Sequence, residues 1–220
     1  MAVIALTSGM GTGAKYVAEK VARHLGLELV HREVWPAGHD DSVSVANSVV
    51  SNRGEAGIAW LRASRSIEGL ANLEETCRLA QRGNVLICGS TPLHFFSETG
   101  QVTKIRVRTT MALRVRRIMA CMGTDESNAA LEKILQFDRN QAEILKRLFG
   151  IQDYEQPSLY DAVIDTGREP ADRCAQQIID VVVENDRKNS SVATPALEAM
   201  IERIHKTRTD LAGQCASAHS

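Results

Sequence analysis

The chain has 220 residues, is 44% hydrophobic and 24% charged, and carries a formal net charge of −1. Those values suit a globular protein with a sizeable core and exclude a generally basic nucleic-acid binder. Five scattered cysteines without a Cys-x-x-Cys pair exclude a disulfide framework or a zinc knuckle and suit a reducing compartment, so the expected location is the cytoplasm. No apolar run approaches the ~18 residues of a membrane span, so no membrane partner is expected.

The chain opens on an apolar run rich in strand formers, Val3-Ile4-Ala5-Leu6, which stops at Ser8-Gly9-Met10-Gly11-Thr12-Gly13-Ala14-Lys15. Val17, Val21, Ala22 and Leu25 then recur at helical spacing, which predicts a helix over 14–25 with Gly26 as its C-cap. Strand, glycine loop and helix together can cradle phosphate. Glycines let backbone N–H groups converge, the helix N-terminus adds positive potential, and a lysine supplies a mobile charge. The usual spacing is Gly-x-x-x-x-Gly-Lys-Ser/Thr. Here Lys15 follows Ala14, and Tyr16 stands where a metal-binding hydroxyl belongs. A turn that merely packs tightly is the alternative reading.

Leu27–His31 reads as a second strand. A turn-rich break at 35–41 leads to helical material over 42–51, an interruption at Arg53-Gly54, and a helix from 58 to 82. Val85–Cys88 has the uninterrupted apolar character of a buried parallel strand and closes in Gly89-Ser90-Thr91-Pro92. Val102–Arg108 alternates apolar with polar residues, which predicts a partly buried fourth strand. Thr109-Thr110 caps a basic helix bearing Arg114, Arg116 and Arg117; a long helix begins after Gly123-Thr124-Asp125, keeps helical spacing from Leu131 to Phe149, and stops at Gly150. Ala162–Ile164 is a fifth strand, and Glu169-Pro170 opens a helix to about 184.

Strands alternating with helices predict a parallel sheet covered on both faces, with ligands at the C-terminal ends of its strands. The body is expected over 1–184. Residues 185–194 are polar and read as a linker, 195–212 as an amphipathic helix, and 213–220 as a disordered tail. The apolar stripe Leu197, Met200, Ile201, Ile204, Leu211 needs a partner surface, either the body or a second subunit in a homodimer or partner contact.

Phosphoryl transfer needs charge neutralisation and positioning more than a covalent nucleophile. Lys15, Arg114 and Arg139 are the candidate catalytic cations. Gly9, Gly11, Thr12, Gly13, Ala14, Lys15 and Arg117 are the candidate nucleotide-binding residues. Arg53, Arg62 and Arg65 are candidate contacts for an acceptor phosphate, since guanidinium forks suit phosphate oxygens. Thr12 is the candidate to replace the missing metal-binding hydroxyl.

The order of these features resembles the cytidylate kinase-like family of phosphate-loop kinases. The carrying pieces are Ser8–Lys15, Gly83–Gly89, Arg114 and Arg117, Asp138 with Leu145–Gly150, and above all Pro157-Ser158-Leu159-Tyr160-Asp161-Ala162-Val163-Ile164-Asp165-Thr166. The resemblance implies a three-layer phosphate-loop kinase fold, a five-stranded parallel sheet and a helical lid over 114–147. It also implies ATP with Mg2+ as donor and a CMP- or UMP-like nucleotide as the small phosphorylated acceptor. Departures fall on the acceptor side. Ser90-Thr91 follows Gly89 where the family usually has Arg-Gly, His31 replaces an acidic residue, and Asp138-Arg139-Asn140-Gln141 breaks an Asp-x-x-Arg pattern. These departures keep open a second reading, a catalytically silent nucleotide-binding or scaffolding module.

Overall fold

The computed structural model describes residues 2–31, 67–89, 96, 102–189 and 195–217. Five strands, β1 (Val3–Ser8), β2 (Glu28–His31), β3 (Val85–Gly89), β4 (Thr103–Arg108) and β5 (Ala162–Asp165), form one sheet in the order β2-β3-β1-β4-β5. Every pairing is parallel, as the uninterrupted apolar runs of β1 and β3 require. Six α-helices accompany them among the described residues: α1 (Ala14–Leu25), α2 (Ile67–Arg82), α3 (Met111–Met122), α4 (Ser127–Phe149), α5 (Ala171–Asn189) and α6 (Pro195–Ser217).

The two-residue period of a strand sends neighbouring side chains to opposite faces. Ile4 and Leu6 of β1 meet Val17 and Val21 of α1 and Ile178 and Val182 of α5 in one core. Val3 and Ala5 meet Leu70, Leu73 and Cys77 of α2 and Leu197, Ile201 and Ile204 of α6 in the other. The three-layer arrangement expected from the sequence is therefore present, and β1 sits at its centre.

Three features differ from the sequence reading. α5 continues to Asn189, into the stretch read as a linker, and α6 runs to Ser217, beyond the expected end at 212. The apolar stripe of α6 takes the first of its two expected partners, the body: Leu197, Ile201 and Ile204 are buried against α2 and the sheet. β4 is also more buried than its alternation suggested. Arg106 is only 3% exposed, paired with Glu155 and lying 5.0 Å from the centroid of the Tyr154 ring. An ion pair and a cation–π contact replace solvent on the polar side of that strand. The turn at 35–41, the helix at 42–51 and the start of the helix at 58 lie outside the described residues.

Buried Glu74 on α2 links the two helices of the second core. Arg78 of its own helix donates to it at 2.8 Å, and Arg208 and His205 of α6 stand 3.2 and 3.4 Å from its oxygens. Burial pushes this carboxyl up, but the hydrogen bonds from Arg78 and His205, with the charges of Arg208 and Arg78, outweigh it. The group is held below its ordinary value of 4.5.

Candidate phosphate-binding site

The glycine loop leaves the C-terminal end of β1 at Ser8 and enters α1 at Ala14. Gly11 and Gly13 take the left-handed conformation, with φ of 76° and 78°, which only glycine adopts without strain. The loop is fastened from behind by the basic helix. Arg114 Nε donates to the Met10 carbonyl at 2.7 Å, and Arg117 Nη1 donates to the carbonyls of Thr12 at 2.7 Å and Gly11 at 3.3 Å. In a trans peptide the next N–H points opposite to the carbonyl. Held this way, the Met10 and Thr12 carbonyls turn the N–H groups of Gly11 and Gly13 away from the arginines. Those two donors and the N-terminus of α1 are the elements from which an anion cradle can be built.

The arginines differ in charge balance. Arg114 makes a bidentate pair with Asp138 of α4, both bonds 2.7 Å long. Arg117 meets neutral oxygens: the two loop carbonyls, the Thr166 hydroxyl at 3.1 Å and the Thr166 carbonyl at 3.2 Å. Its charge adds to the positive potential beside the loop. The glycines also make room for these side chains. A Cβ on Gly9 would stand 2.9 Å from Arg114 Nη2, one on Gly11 2.8 Å from the Arg114 carbonyl, and one on Gly13 3.1 Å from Arg117 Nη1.

This changes several sequence-based roles. Arg114, expected to close over a transferring phosphoryl group, has its three guanidinium nitrogens engaged by Asp138 and Met10. Arg117, expected at the nucleotide, grips the loop backbone. Thr12, expected at the metal, is buried, and its hydroxyl donates to the Gly9 carbonyl at 2.9 Å, closing the turn. Arg139 is exposed, and its Nε donates to the Leu135 carbonyl of its own helix at 3.2 Å. It is Asp138, about 100° round the helix, that reaches the loop's support. Ala14, first residue of α1 and directly after Gly13, holds the position where the usual loop has its lysine, and Lys15 is exposed one position further on. Arg53, Arg62, Arg65, Ser90 and Thr91 lie outside the described residues.

Two clefts flank the loop. One of about 310 Å³ lies over the ends of β1, β2 and β3, where Ser8, Gly9, Lys15, His31, Cys88 and Phe137 are among its lining residues. The other, about 150 Å³, is lined by Gly13, Tyr16, Val17, Arg117, Thr166 and Ala171. Tyr16, with 67% exposure, stands at its mouth. The sequence reading missed the Arg114–Asp138 pair and the use of Thr166. Their signal was the placement of Arg114 and Arg117 three apart on one helix face, opposite a loop whose carbonyls need donors.

The solved structures this chain resembles share its fold. An uncharacterized protein from Eubacterium ventriosum ATCC 27560 is 17% identical, with a TM-score of 0.64 over 83% of this chain and 98% of the other. A gluconokinase from Sinorhizobium meliloti 1021 is 12% identical, with a TM-score of 0.51 over 87% and 98%. No curated protein matches the sequence. Fold and loop together define a phosphate-loop kinase fold. Residues 3–168 match the model of the cytidylate kinase-like family, and the chain belongs to that family.

Proposed function

We propose that the protein is a small-molecule phosphotransferase that takes the γ-phosphoryl group of ATP and passes it to a nucleotide, with CMP and UMP as first candidates. The observation that carries this reading is the glycine loop with its Met10 and Thr12 carbonyls held from behind and its Gly11 and Gly13 N–H groups turned the other way. The donor phosphates would lie on those N–H groups at the N-terminus of α1, with Lys15 as the mobile cation at the mouth of the larger cleft. The acceptor would enter that cleft over the ends of β1–β3, with Arg53, Arg62 and Arg65 proposed for its phosphate. Mg2+ would neutralise the donor phosphates. It would be carried by those phosphates and water, because Thr12 is spent on Gly9 and none of the described lining residues is a carboxylate.

Catalysis on this reading is positioning and electrostatics. Arg114 and Arg117 act through the loop they hold, and exposed Arg139 would approach the transferring group from the lid.

A second reading has one specific observation in its favour. Ala14 fills the position that a lysine takes in the usual loop, which suits a protein that binds nucleotide without transferring phosphate.

The test is ADP release from magnesium-ATP with CMP, dCMP, UMP, AMP and gluconate each offered as acceptor, with Lys15→Ala alongside. Acceptor-dependent turnover that Lys15→Ala lowers by two orders of magnitude or more establishes the kinase. Nucleotide binding with no turnover above the variant establishes the silent module.

A further inference from the structure

Thr166 follows the last residue of β5, and the proposed reaction assigns it no part. Its amide donates to the carbonyl of Arg108, the last residue of β4, at 3.0 Å. Its hydroxyl lies 2.5 Å from the Thr12 carbonyl, to which it donates, and accepts from Arg117 Nη1 at 3.1 Å. Its own carbonyl accepts from Arg117 Nη2 at 3.2 Å. One residue anchored in the sheet thus holds both the loop and the arginine that grips the loop.

We propose that Thr166 is a positioning residue that aims the Gly13 N–H at the donor phosphates. The Thr12 carbonyl takes two donors, Thr166 Oγ1 and Arg117 Nη1, which approach from one side and fix the plane of the Thr12–Gly13 peptide. Without them that peptide is free to rotate, because Gly13 tolerates both signs of φ. With them the Gly13 N–H is directed away from Arg117 before any ligand arrives, so no ordering cost falls on binding. The neighbouring Gly167 supports the same geometry. A Cβ there would stand 2.6 Å from Thr109 Oγ1 and 2.9 Å from Leu113 Cδ1, so the turn carrying Thr166 is packed closely against the start of α3.

This inference rests on the loop being a phosphate cradle, and the experiment separates the two. The parent protein, Thr166→Val and Thr166→Ser are titrated with ADP, pyrophosphate and adenosine by calorimetry, and the amides of residues 9–15 are followed by NMR without ligand. Valine keeps the shape and removes the hydroxyl; serine keeps the hydroxyl. Thr166→Val is expected to bind ADP and pyrophosphate about tenfold more weakly, as the loss of one orienting hydrogen bond predicts. It should also shift the Gly13 amide and quicken its exchange, and leave any adenosine binding unchanged, whereas Thr166→Ser should behave as the parent. If Thr166→Val does not fold, Thr166→Ala makes the same deletion. Equal pyrophosphate affinity and an unmoved Gly13 amide in a folded variant overturn the proposal while the phosphate reading stands. Failure of the parent protein to bind ADP or pyrophosphate overturns both.

Discussion

The pair between Arg114 and Asp138 is the sharpest place to test how the site is held together. Replacing Asp138 by alanine leaves a guanidinium with 11% exposure beneath the loop, deprived of two bonds of 2.7 Å. Breaking a buried pair by removing one partner costs about 3–5 kcal/mol. Asp138 retains 19% exposure and Arg114 keeps the Met10 carbonyl, so the lower end of that range applies, about 3 kcal/mol. In a domain of this size that lowers the thermal midpoint by roughly 6–12 °C. Urea unfolding of the parent, Asp138→Ala, Arg114→Leu and the double variant closes a thermodynamic cycle. The double variant should be more stable than the sum of the singles by at least about 1.5 kcal/mol, because removing both charges leaves neither one stranded. A single-variant cost below about 0.5 kcal/mol, or additivity within that margin, would refute the clamp.

Gly11→Ala should destabilise by about 2 kcal/mol or more, because it combines a φ of 76° with a Cβ placed 2.8 Å from the Arg114 carbonyl. Gly213→Ala, on open surface within α6, should instead stabilise by about 0.5–1 kcal/mol; thermal melts read both. Glu74 titrates lower in the folded chain than unfolded, so its contribution is complete above the ordinary value of 4.5 and disappears as pH falls through the lower folded value. The urea midpoints of the parent and Glu74→Gln should therefore be well separated at pH 7 and converge below pH 4.5. Burial, with the nearby Glu74 charge, pushes the Cys77 thiol up to about 12, while Cys121 is exposed. Iodoacetamide at pH 8 should alkylate Cys121 in the native protein and Cys77 only after denaturant is added, as peptide mass spectrometry would show.

Much of the architecture was legible because it depends on local periodicity. The apolar run from Val3, the 3.6-residue recurrence through Leu25, and the glycines at 26, 123 and 150 each mark an element or its end. The site was legible at coarser grain. The glycine loop and the basic helix were both visible, but which atoms they exchange is a tertiary fact. A pattern of Arg114 and Arg117 says that two cations share a face. It does not say that this face meets carbonyls of the loop rather than a ligand. Arg106 misled for a similar reason: alternation along β4 signals two environments, and the burial of the polar one depends on residues 153–160 folding back over it. The polar stretch after 184 read as a linker because composition alone cannot tell an exposed helical turn from a flexible chain.

The α2–α6 seam also bears on the order in which the molecule can be made. Cys77 and Met200, whose sulfurs lie 3.8 Å apart, are separated by 123 positions. During synthesis Leu70, Leu73 and Cys77 therefore remain uncovered until residues 195–217 have emerged. The segment matching the family ends at 168, before α5 and α6 begin. A fragment cut there would lack a covering helix on each face of the sheet and would expose both cores to aggregation. Among the described residues, the smallest autonomous unit thus extends through α6.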